Sequence, residues 1–137
     1  MKAFKPLALI FALALFCFPA CEIYEDDDLN PADPREKFLG NWKVNETCQR
    51  ATYSVNVTND PGNSAQVLIY NFGNTGPGYS PAIGLVAGNT VNVFSQTIGE
   101  GWTANGKGTY QNNGTVLWTY TLVIGVNQLE CSATYFR

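Results

Sequence analysis

The chain contains no histidine, and its single methionine is the first residue. Without histidine there is no Ser-His-Asp triad, no Cys-His dyad and no imidazole ligand for zinc. Charge is scarce too, at 14% of 137 residues. From Phe38 to Arg137 the acids (Glu46, Asp60, Glu100, Glu130) and the bases (Lys43, Arg50, Lys107, Arg137) balance at four each. A neutral stretch of that length has no basic stripe for nucleic acid and no polybasic patch for anionic lipid. Four scattered acids give no sign of a glycosidase-type carboxylate pair. Gly106-Lys107-Gly108 sits in a strand-like pattern with no helix after it, so there is no phosphate loop. No cofactor motif is present, and an enzyme is the least favoured of three function classes.

What is present begins with a short apolar run. Lys2 and Lys5 precede LALIFALALFCF, the twelve residues from Leu7 to Phe18. This is too short for a bilayer span, which needs about 20 residues, but it suits an export signal. The run ends at Pro19-Ala20-Cys21. A small residue before a cysteine resembles the lipobox of bacterial lipoproteins. The resemblance implies cleavage after residue 20, lipidation of Cys21 and a membrane as partner through the acyl chains. An ordinary secretory signal cut near Ala20 would instead leave Cys21 as a free thiol. Glu22 to Lys37 holds seven acids and two bases with Pro31 and Pro34, so residues 21–37 are expected to form a solvated tether. The acidic cluster after the cysteine resembles the surface-export signal of Bacteroidetes lipoproteins, which implies an outer-membrane location facing outward.

Residues 38–137 are expected to form one β-domain. Val, Ile, Thr, Phe, Tyr and Trp number 39 there, against 24 strong helix formers. Apolar and polar residues alternate, as in Val116, Trp118, Tyr120 and Leu122 against Thr119 and Thr121, the mark of strands with one wet face. Turn residues divide the run into eight strands, near 41–48, 51–58, 66–73, 82–87, 90–98, 102–111, 115–124 and 128–136. Short links favour an antiparallel meander, and closure removes its raw edges. The expected fold is an eight-stranded up-and-down barrel, with a two-sheet β-sandwich as the alternative. The longest open loop is NTGPGYSP, residues 74–81.

Three cysteines follow the apolar run's end. With Cys21 assigned to lipid, an oxidising compartment leaves Cys48 and Cys131 to pair. They fall in the first and last strands, which are neighbours in a closed meander, and both have inward parity. The loop enclosed is roughly 80 residues, for which chain entropy gives on the order of 4 kcal/mol.

Phe38 to Val44 reads FLGNWKV. A Gly-x-Trp opening the first strand of an eight-stranded meander resembles the entry motif of lipocalins and related calycin barrels. Arg137 is the one residue placed to match the family's basic residue near the last strand. The chain as a whole is similar to small lipocalin-like lipoproteins of Bacteroidetes, and the resemblance implies binding rather than catalysis. An eight-stranded barrel is just wide enough to be filled by side chains or to hold one small ligand. Trp42, Tyr53, Trp118, Tyr120 and Tyr135 have inward parity and either pack the interior or line a pocket. Tyr79 would stand at a mouth beside the 74–81 loop. Trp102 either folds over the barrel end or stacks on a sugar or partner. Glu46 also has inward parity, where it would orient a ligand's polar head, unless a bulge turns it outward. Two functions stay open: capture of a small apolar or amphipathic ligand, and a surface interaction module (adhesin, inhibitor or accessory subunit) with a filled barrel.

Overall fold

The computed structural model describes residues 32–137. The expected export signal, Cys21 and the tether up to residue 31 lie outside the described residues.

The chain runs through β1 (Gly40–Glu46), β2 (Thr52–Asn59), β3 (Gln66–Tyr70), β4 (Ala82–Ala87), β5 (Thr90–Ile98), β6 (Trp102–Tyr110), β7 (Val116–Ile124) and β8 (Asn127–Phe136). Each strand pairs antiparallel with the next, and β1 pairs with β8, so the sheet closes into an up-and-down barrel. The closing seam runs from Lys43 opposite Phe136 to Glu46 opposite Ala133. The sandwich alternative is thereby removed.

Two strand ends differ from expectation by more than one residue. β3 stops at Tyr70, three residues early, because Asn71 takes a left-handed φ of 66° and turns the chain inward. β1 stops at Glu46, and Cys48 lies in the bend that follows. There is no bulge in β1: it is paired without interruption to β2 from Gly40 to Asn45, and to β8 at Glu46. Glu46 therefore keeps the inward parity of Trp42 and Val44.

The end of the expected tether is already part of the folded body. Arg35 is paired with Asp33 and donates to the carbonyl oxygens of Asn63 and Gln66 at 3.3 Å each. A single 3-10 turn, Glu36–Phe38, follows and buries Phe38 beneath the barrel.

The interior is filled by a division of labour between β6 and β7. Ala104, Gly106 and Gly108 of β6 stand directly opposite Leu122, Tyr120 and Trp118 of β7. A Cβ on Gly108 would lie 2.5 Å from the Trp118 ring, and one on Gly106 would lie 2.3 Å from the Tyr120 Cβ. The glycines that weaken β6 as a strand are thus the space into which β7's aromatic rings fold. Gly84 does the same on β4, where a Cβ would meet Val91 at 2.4 Å.

Candidate functional site

The two ends of the barrel are closed by different devices. At the lower end Trp42 is 1% exposed and donates its indole N–H to the Phe38 carbonyl at 2.8 Å. The Arg137 guanidinium lies 3.9 Å from the Trp42 ring centroid and donates to the carbonyls of Leu39 (2.8 Å) and Lys37 (3.1 Å). A planar cation stacked on an indole while satisfying two carbonyls ties the C-terminus to the entry turn. Trp42 takes part in that closure, and its ring also borders the interior.

At the upper end the chain between β3 and β4 folds into the barrel mouth. Asn71, Gly73, Asn74 and Gly76 all have positive φ, and this contorted path drives Phe72 into the core, 1% exposed. The Phe72 ring meets Trp118 edge-on at 5.2 Å and Tyr120 at 4.8 Å. Gln49, in the loop after β1, donates to the Gly73 carbonyl at 3.1 Å and holds the plug from the side. The Asn71 side chain donates to Ser54 O at 2.8 Å and accepts from the Gly76 N–H at 2.7 Å. Phe72 is the residue that sequence reasoning missed: its Tyr-Asn-Phe-Gly setting continues a strand alternation, and only the flanking Asn71 and Gly73-Asn74 signal a turn.

Beneath the plug five of the expected residues meet. Glu46, 5% exposed, accepts from the Tyr53 hydroxyl at 3.0 Å, and that hydroxyl lies 3.4 Å from the Tyr120 hydroxyl. Trp118 stacks at 5.5 Å on Tyr135. Glu46 Oε2, Trp118 Nε1 and Tyr135 Oη are buried without a hydrogen-bond partner. Burial raises the Glu46 carboxyl above its ordinary pKa, and the Tyr53 bond offsets part of that rise. Burial, then the Glu46 charge, pushes Tyr53 far above the usual phenol range. Tyr135 is raised by burial first and by Tyr53 and Glu46 next. Burial in this apolar setting shifts each of these groups towards its neutral form.

The remaining void is small. A cavity of about 10 Å³, lined by Phe38, Trp42, Ile69, Val116, Trp118 and Tyr135 among others, lies in the lower barrel. That is room for one water molecule at most. The larger concavity is outside: an open groove of about 840 Å³ across β1, β8 and β7, faced by Asn45, Thr47, Thr119, Ser132 and Thr134.

Tyr79 and Trp102 stand apart from the Glu46 cluster. Tyr79 is exposed, and its hydroxyl donates to the Glu100 carboxylate, which raises the phenol's pKa. Trp102 is half-buried against the core at the start of β6. The outer wall carries a second feature. Phe94 is 65% exposed and Ile83 42%, on facing strands whose backbone pairing stops at Leu85 opposite Asn92. The Gln96 side chain fills the gap, accepting from Ile83 N–H (2.7 Å) and donating to the carbonyls of Ile83 and Phe94 (2.9 Å each).

Cys48 and Cys131 are bonded, with Cα atoms 4.9 Å apart and 83 residues of separation. A Glu46 carboxylate oxygen lies within 4.8 Å of both sulfurs. With both sulfurs tied to each other this trio offers one good ligand, so it is no metal centre. No protein-family model matches the chain, and no curated protein matches it.

Proposed function

We propose that the protein is a lipid-anchored surface module of the bacterial envelope that works through the outside of a solid, lipocalin-like barrel. The observation that carries this reading is the filled lumen: ligand capture calls for roughly 300 Å³ or more, whereas the interior void is about 10 Å³ and Phe72 occupies the mouth. Apolar contact area is instead displayed on the wall, at Phe94 and Ile83. The stacked Trp42–Arg137 pair at the closed end supports the lipocalin-like resemblance. Acylation at Cys21, followed by an acidic spacer, would hold this wall clear of the membrane.

One experiment tests both halves. Native mass spectrometry of the protein extracted from its own host's membranes is expected to show a chain beginning at residue 21 with covalent acyl mass and no non-covalent small molecule. A stoichiometric bound molecule that leaves on unfolding overturns the solid-barrel reading. A mature chain without acyl mass overturns the anchor.

A further inference from the structure

The Glu46 cluster poses a question that packing does not answer. A carboxyl group is buried to 5% exposure with one oxygen unpartnered, at a cost that proteins ordinarily avoid. Its neighbours are Tyr53 from β2, Tyr120 from β7, and Tyr135 and Cys131 from β8. None of these is a cation that would compensate a charge. What the carboxyl does face is a disulfide: both sulfurs lie within 4.8 Å of it. The two cysteines differ in burial: Cys131 is 4% exposed on β8, while Cys48 is only partly buried in the bend after β1.

We propose that Cys48–Cys131 is a thiol-exchange site, in which a dithiol reductant attacks Cys48 Sγ and the Glu46 carboxyl protonates the departing Cys131 sulfur. In the first step the reductant's thiolate forms a bond to Cys48 Sγ, the Cys48–Cys131 bond breaks, and the electron pair stays on Cys131. The Glu46 proton passes to that sulfur and leaves a carboxylate. In the second step the reductant's other thiolate attacks its own sulfur in the mixed disulfide, is oxidised to a disulfide, and releases Cys48 as a thiolate that takes a proton from water. Glu46 recovers its proton from solvent.

The direction of attack follows from exposure, since thiol exchange depends on which sulfur the nucleophile reaches. The proton donor is the carboxyl that stands within 4.8 Å of both sulfurs, close enough for transfer once the leaving sulfur moves or through one water. A thiolate generated in an apolar wall is costly, and general-acid protonation of the leaving sulfur removes that cost. Burial holds the carboxyl protonated to a higher pH than a surface glutamate, which keeps the acid form available.

The test uses the intact, folded domain with dithiothreitol, following reduction by alkylation and mass, with rates normalised to the dithiothreitol thiolate at each pH. The wild type is expected to gain about a hundredfold in normalised rate as pH falls through the carboxyl's titration, the low end of what general-acid catalysis contributes. Glu46→Gln is expected to give a flat profile. Tyr53→Phe removes a bond that lowers the Glu46 pKa, so its inflection should move to higher pH, a shift that a merely structural role would not produce. Flat, equal profiles for wild type and Glu46→Gln overturn the proposal, as does reduction that proceeds only as the fold's circular dichroism is lost. An unchanged inflection in Tyr53→Phe removes Glu46 as the donor even if Glu46→Gln fails to fold.

Discussion

Single residues show how tightly this barrel is specified from inside. Trp118 fits because Gly108 opposite it has no side chain, with the ring 2.5 Å from where a Cβ would be. Glu46 is the counterexample, a polar group placed where packing alone would choose a valine. Its folded pKa is raised above the unfolded value, so the folded state binds the extra proton more readily. Stability from this group is therefore greatest below the unfolded carboxyl pKa and falls as pH rises through the folded one. Glu46→Gln should remove that fall: in urea unfolding, wild type should lose stability relative to the variant between pH 4 and pH 7.5. A constant difference across that range would mean that the carboxyl is not desolvated. Parity with Trp42 and Val44 offered the inward direction of Glu46 alongside a bulge, and the uninterrupted pairing of β1 decides between them. The unpaired oxygen of Glu46 and its nearness to the disulfide were not legible in the sequence, because both depend on where β2 and β8 arrive in space.

Elements tell a similar story at the next scale. All eight strands could be placed from alternation and turn residues, since a period of two and short Asn/Gly links leave few other readings. What alternation does not reveal is where a strand stops pairing while its sequence continues to alternate. β3 ends at Tyr70 although Phe72 keeps the rhythm. β4 and β5 separate beyond Leu85–Asn92, and β5 shifts register against β6 between Val93 and Gln96. Gln96 acts there as a stand-in strand, its amide meeting both backbone groups of Ile83. Removing it with Gln96→Ala should leave the Ile83 amide poorly held. Hydrogen exchange at Ile83 should accelerate about tenfold, the equivalent of one hydrogen bond of about 1.4 kcal/mol, with little change at Val91 inside the wall. Equal protection in the variant would show that β5 itself, not the glutamine, closes the seam.

At the scale of the whole molecule, charge, closure and packing point the same way. The net charge of −3 belongs to the segment ahead of Phe38, since the domain that follows balances its four acids with four bases. The barrel is closed by backbone pairing, by the Cys48–Cys131 bond at its seam, by Arg137 on Trp42 below and by Phe72 above. Closure was foreseeable from the meander and the cysteine positions. The filled lumen was not, because parity lists which aromatics point inward but not whether a loop brings one more. The central claim is that this lumen is occupied by the protein's own side chains, with Phe72 the last piece. The most direct measurement is a titration with toluene, followed by NMR at the Trp118 indole N–H, which lies in the interior without a hydrogen-bond partner. In the wild type the signal should not move up to toluene saturation. In Phe72→Ala, which opens a space at a cost of about 3–5 kcal/mol, it should shift saturably. A saturable shift in the wild type would contradict the account and show a barrel that opens to ligand as it stands.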